Sequence, residues 1–156
     1  MVWNGIICAC PTGEEFIYGQ CQAVSQSFTI GGGISGSWYD PNQSGHGFLI
    51  EVIKGTDQAQ AIWFAFDNQG NQAWIAAQGT IDGNQVTMDA IVVDGGRFPP
   101  HFDATAIERN HWGAMSFTFS DCDHATVQWT TSNSAFTSSG RMTLVRLTSI
   151  EGTTCP

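Results

Sequence analysis

Ala61-Ile62-Trp63-Phe64-Ala65-Phe66-Asp67-Asn68-Gln69-Gly70-Asn71-Gln72-Ala73-Trp74-Ile75-Ala76-Ala77 is the stretch whose reading decides the fold. Two apolar, aromatic-rich runs flank a polar connection that contains a glycine, which is the pattern of two antiparallel strands joined as a hairpin. Each arm carries apolar residues on both faces, so the hairpin is expected to be central or covered. Trp63 and Phe64 are accordingly expected in the core.

Outward from this hairpin the same grammar repeats. In Ala114-Met115-Ser116-Phe117-Thr118-Phe119-Ser120 the residues Met115, Phe117 and Phe119 share one face while small and hydroxyl side chains take the other, the alternation of a half-buried strand. Ala125 to Thr130 and Arg141 to Thr148 alternate in the same way, so these three runs are expected to pair as a meander. Asp82-Gly83-Asn84 leads into a strand over Gln85 to Val93, which Asp94-Gly95-Gly96 closes. Phe98-Pro99-Pro100-His101-Phe102-Asp103 reads as a loop, because two prolines remove ladder donors. From Ile34 onward turn residues recur about every ten positions, giving about eight to ten strands in neighbour order. The chain is all-β, as an antiparallel up-and-down barrel or a two-sheet sandwich, and the order of strands along the sequence leaves both open.

Residues 1–33 differ from the rest: a cysteine cluster is followed by a polar segment ending in Gly31-Gly32-Gly33. They read as an N-terminal arm and joint, with residues 34–156 as the β domain. Cys8-Ala9-Cys10-Pro11-Thr12-Gly13, followed by Cys21, resembles the Cys-Pro-x-Gly loops of secreted epidermal-growth-factor-like segments. Three cysteines do not complete such a module. The expected pairs are Cys10 with Cys21, stapling the arm, and Cys122 with Cys155. Cys8 is left over, and a thiol that links to another subunit is one use for it.

Only 12% of the residues are charged, about half the usual share. Five basic residues face 14 acidic ones, for a net charge of −9. No basic stripe is present to neutralise a run of phosphates, which excludes nucleic acid as a partner. No apolar run approaches the roughly 20 residues of a transmembrane helix. Met1-Val2-Trp3-Asn4-Gly5-Ile6-Ile7 is too short for a complete signal peptide. The cysteine placement and the neutral polar surface therefore carry the expectation of a secreted, periplasmic or cell-surface location.

The densest motif is Ser35-Gly36-Ser37-Trp38-Tyr39-Asp40-Pro41-Asn42-Gln43-Ser44-Gly45-His46-Gly47-Phe48-Leu49-Ile50-Glu51. It reads as a strand, a turn and a strand: Asp40 can bond its own turn backbone, Pro41 presets φ, and Gly45 and Gly47 permit positive φ or close backbone approach. With Trp63 to Gly70, Trp74, Trp112-Gly113, Asp121-Cys122 and Arg146-Leu147-Thr148, the unit resembles a widespread family of exported bacterial β domains that carry Trp-Tyr/Trp-Asp/Asn-Pro-x-x-Ser-Gly-x-Gly-Phe/Leu. The resemblance spans roughly residues 35–150. It implies an exported β domain near a cell surface and brings no established reaction with it. Gly33-Ile34-Ser35-Gly36-Ser37-Trp38 also resembles the Gly-x-Trp opening strand of avidin- and lipocalin-like barrels.

Aromatic residues make up 12% of the chain, enough to fill a β core or to pave a surface on which sugars stack. Trp38, Tyr39, Trp74 and Trp112 lie near turns and, with His46, are the candidate ligand-binding residues. His46, His101, His111 and His124 would form a metal site only by converging in the fold, since no pair has the spacing of a recognised zinc or copper motif. Ser44 in Gln43-Ser44-Gly45-His46-Gly47 lacks the first glycine and the strand–turn–helix context of a nucleophile elbow. Nothing in the spacing of Glu51, Asp67, Asp89 and Glu108 selects a carboxylate pair for glycoside hydrolysis. The expected function is therefore non-enzymatic and cofactor-free, with two contact modes. One binds a glycan or cell-surface partner; the other joins copies of the chain through the arm, where Trp3, Ile6 and Ile7 are apolar. A metal-dependent enzyme built on converging histidines is the alternative.

Overall fold

The computed structural model describes residues 10, 14–17, 20–23 and 27–155. In the arm, β1 (Glu14–Ile17) and β2 (Gln20–Ala23) pair as a two-stranded antiparallel hairpin. Cys10 and Cys21 are bonded, with their Cα atoms 5.5 Å apart. Cys8, Trp3, Ile6 and Ile7, with the intersubunit roles expected of them, lie outside the described residues.

The body is a closed barrel of β3 (Gly36–Tyr39), β4 (Gly47–Val52), β5 (Gln58–Phe66), β6 (Gln72–Asp82), β7 (Gln85–Asp94), β8 (Glu108–Phe119), β9 (His124–Thr131) and β10 (Ser139–Arg146). Each strand pairs antiparallel with its sequence neighbour, and β10 closes the ring against β3 through Val145↔Tyr39 and Arg146↔Trp38. Between barrel and sandwich the structure is thus a barrel, which leaves no unpaired edge. The expected C-terminal meander is β8–β9–β10.

Alternation of side chains fills the interior. Ala61, Ala77, Ala90 and Gly113 are successive cross-strand partners on β5–β8. This row of small residues lies between two bulkier ones, Phe48–Trp63–Ile75–Val92 and Ala59–Gly79–Met88–Met115. Interleaving small with large lets rings cross a narrow barrel without voids. Trp38, Trp112, Phe117 and Phe119 are fully buried, and burying each large apolar side chain stabilises the fold by about 1.5–3 kcal/mol.

One end of the barrel carries the 53–57, 83–84 and 120–123 connections, the other the 40–46, 67–71, 95–107 and 132–138 connections. The first end is sealed. Cys122 is buried and bonded to Cys155, and Arg146 bonds Asp123 through Nε at 3.0 Å. Ile30 is buried in the core, and its N–H donates to Gly83 O at 2.8 Å. The packed body therefore takes in residues that the sequence pattern assigns to the joint. No helix among the described residues is long and apolar enough to cross a membrane.

The hairpin over 61–77 is not covered. In a barrel one strand face lines the interior and the other faces out, so Trp63, Ala65, Ile75 and Ala77 are buried while Phe64, Phe66 and Trp74 are 48%, 49% and 71% exposed. Phe64, expected in the core, is on the outer wall. Neighbouring strands occupy the flanks of β5 and β6, not their outer face.

Candidate functional site

The β3–β4 connection is built as the motif suggests. Asp40 accepts from the Asn42 N–H at 2.9 Å and from Gln43 Nε2 at 2.8 Å, starting a 3-10 turn over Pro41–Gln43. The Asn42 backbone N–H first, then the Gln43 amide, hold the Asp40 carboxyl below its usual range. Gly45 takes φ +114, which other residues adopt only with strain. A Cβ on Gly47 would sit 2.6 Å from Trp38 O, so only glycine lets β4 leave the turn this close to β3.

Between the two glycines stands His46. The indole N–H of Trp63 donates to its Nδ1 at 3.1 Å. Trp63 is itself fixed from below: it stacks on Phe48 with centroids 4.9 Å apart and meets Trp129 and Trp112 edge-on at 5.1 and 6.1 Å. His46 is thereby tied to the aromatic core while lining an open groove of about 550 Å³ with Tyr39, Ser44, Leu49, Phe64 and Leu147.

Beside the groove the outer wall divides sharply. Leu49, Ile62, Ala76 and Ile91 are cross-strand partners in one row, and Phe64 faces Trp74 in the next, with ring centroids 6.4 Å apart and planes at 66°. Toward the sealed end the adjacent row is polar: Glu51, Gln60, Gln78 and Asp89. Val93, Phe98 and Phe102, on β7 and the loop after it, are also exposed. The wall of β8–β10 is hydroxyl- and amide-rich, with Ser116 opposite Gln128 and Thr126 opposite both Thr118 and Thr143. An interior filled with apolar side chains is the reverse of the aqueous lumen of a channel-forming, lipid-spanning barrel.

The five candidate binding residues separate in the structure. Tyr39 and His46 line the groove, and Trp74 stands next to it on the wall. Trp38 is 1% exposed, bonds Ile34 O through its indole at 2.9 Å and packs edge-on against Phe119, so it presents no ring to a ligand. Trp112 is fully buried because β8 is irregular there. Ala90 pairs with Gly113 and Ile91 with His111, so Trp112 is an extra residue that turns inward beside Gly113. Its indole N–H has no hydrogen-bond partner among the described residues.

The histidines are dispersed. His101 is in the 95–107 loop, His111 faces out on β8, and His124, at the sealed end, lies 3.0 Å from Asp121. Among the described residues no group of three or more His, Cys, Asp or Glu side chains gathers around a common point. Ser44, Leu49, Phe64 and Leu147 line the groove without belonging to the candidate binding set read from the sequence. The signal for Phe64 is the two-sided apolar hairpin, whose second face meets solvent and not a covering layer.

No family model, curated protein or solved structure matches this chain.

Proposed function

We propose that this chain is a non-enzymatic extracellular β-barrel domain that works by contact, holding a glycan against the outer wall of β4–β6 beside the β3–β4 turn. The observation that carries the reading is the Phe64–Trp74 pair, two large rings left open to solvent on adjacent strands at the lip of a groove that also offers the polar side chains of Tyr39, Ser44 and His46. Exposed rings next to convergent polar groups suit sugars, which present apolar C–H faces and hydroxyl edges. The barrel interior is filled with side chains, so a ligand has its place on the wall. Two disulfides fit an oxidising, extracellular location. The test is retention of the protein on a panel of insoluble and soluble polysaccharides. Wild type is expected to bind at least one, with Trp74→Ala and Phe64→Ala each weakening it. Failure on every polysaccharide, or a double variant that binds as wild type does, overturns the reading.

A second reading is assembly of copies, favoured by the apolar row Leu49–Ile62–Ala76–Ile91 continuing beside Trp74. Contiguous exposed apolar patches mark protein contacts as well as ligand grooves. Light scattering separates the two: assembly requires a concentration-dependent oligomer that Trp74→Ala dissolves, whereas glycan contact leaves a monomer.

A further inference from the structure

We infer that His46 is the polar contact for an uncharged sugar in this groove and makes it only as a neutral imidazole, so that acid releases the glycan. The inference rests on the outer-wall reading above and adds the ligand class and its control.

The indole of Trp63 can only donate, so His46 Nδ1 must accept. A neutral imidazole that accepts at Nδ1 carries its hydrogen at Nε2, which has no hydrogen-bond partner among the described residues. His46 therefore offers the groove a hydrogen-bond donor whose tautomer is set by the core. The groove has no carboxylate, ammonium or guanidinium among its lining side chains, while the chain as a whole carries −9. An acidic polysaccharide meets repulsion there with no local cation to offset it. A neutral one meets the rings of Phe64 and Trp74, the hydroxyl residues Ser37, Tyr39 and Ser44, and the imidazole.

Protonation puts a hydrogen on Nδ1 and sets two N–H groups against each other. Trp63 cannot turn away, because Phe48, Trp112 and Trp129 hold its ring, and it is only 7% exposed. His46 is the partner that moves. Asp40, on the same turn, attracts the imidazolium and is the ionised group that faces it; Tyr39 is the other titratable side chain at the groove. Histidine is the side chain whose charge changes nearest neutral pH.

The experiment uses the full chain at pH 7.5 and pH 5.0 with hydroxyethyl cellulose and galactomannan as neutral probes and polygalacturonate as the acidic one. Affinity electrophoresis reads binding, and the Trp63 indole ¹H–¹⁵N resonance is followed across the same range without ligand. Wild type should bind a neutral probe at pH 7.5, ignore polygalacturonate, and lose about tenfold in affinity at pH 5.0, the worth of one hydrogen bond. The Trp63 indole resonance should shift over the same interval. His46→Gln can accept from Trp63 and still donate, so it should bind more weakly than wild type but without acid sensitivity; His46→Leu should fall about tenfold below wild type at pH 7.5, and equally at both pH values. Binding that ignores pH, an acid loss that persists in His46→Gln, or a stationary indole resonance overturns the inference and leaves the outer-wall reading standing. Failure to bind either neutral probe, if the wider panel also fails, overturns both.

Discussion

Phe117→Ala and Trp74→Ala remove large aromatic side chains from opposite faces of the same barrel, and the structure assigns them very different costs. Phe117 is fully buried near the C-terminal end of β8, paired across strands with Val86 and Val127 and edge-on to Phe48 at 5.3 Å. Deleting such a ring costs about 3–5 kcal/mol, from lost transfer energy and the cavity left behind. In a domain of this size each kcal/mol lowers Tm by about 2–4 °C, so a fall of roughly 10 °C is expected. Trp74 is 71% exposed and touches chiefly Phe64. Its removal should stay within about 0.5 kcal/mol, as for other surface changes. The assay is urea unfolding followed by far-UV circular dichroism, with equal m values required before midpoints are compared. A loss below about 1 kcal/mol for Phe117→Ala, or above about 2 kcal/mol for Trp74→Ala, would show that the faces of β5–β8 have been assigned the wrong way round.

Replacing Cys122 and Cys155 by Ser releases a cross-link between residues 33 apart in sequence; chain entropy predicts a loss of about 3–4 kcal/mol, read as a lower urea midpoint, and an unchanged midpoint would contradict it. Gly140→Ala places a Cβ 2.2 Å from the Trp129 ring, so calorimetry should show a lowered Tm from about 1–3 kcal/mol of overpacking. Asp40, Asp67 and Asp121 all have pKa values below the ordinary 3.8, Asp67 chiefly through the Asn71 amide and Asp121 through the Asp123 N–H. Depressed folded-state values stabilise the protein fully above the unfolded pKa and cease to do so as pH falls through the folded ones. Acid unfolding should therefore steepen below about pH 3.8, and Asp67→Asn should flatten that limb; a parallel profile would count against these bonds.

Much of this fold was legible because strand alternation is local. Met115, Phe117 and Phe119 point inward as their period of two requires, and the turn over Asp40–Gly47 uses each residue as its chemistry suggests. Closure was not legible, since it depends on β10 meeting β3 across more than a hundred residues. Trp112 was misplaced because an irregular residue in β8 shifts the inward phase by one, and no sequence period records that. The outer face of the 61–77 hairpin was misjudged for a different reason. An apolar run on both faces signals burial on both sides only when another layer exists, and here the second face looks into solvent. That departure from the rule is what points to Phe64 and Trp74 as a contact surface.

Chemical-shift mapping of the ¹⁵N-labelled protein with a bound neutral polysaccharide tests the central claim most directly. The account predicts perturbations concentrated on Tyr39, Ser44 to Leu49, Ile62 to Phe64 and Trp74, with the β8–β10 wall silent. Perturbations centred instead on the 95–107 loop or on the sealed end, or none at saturating ligand, would contradict it.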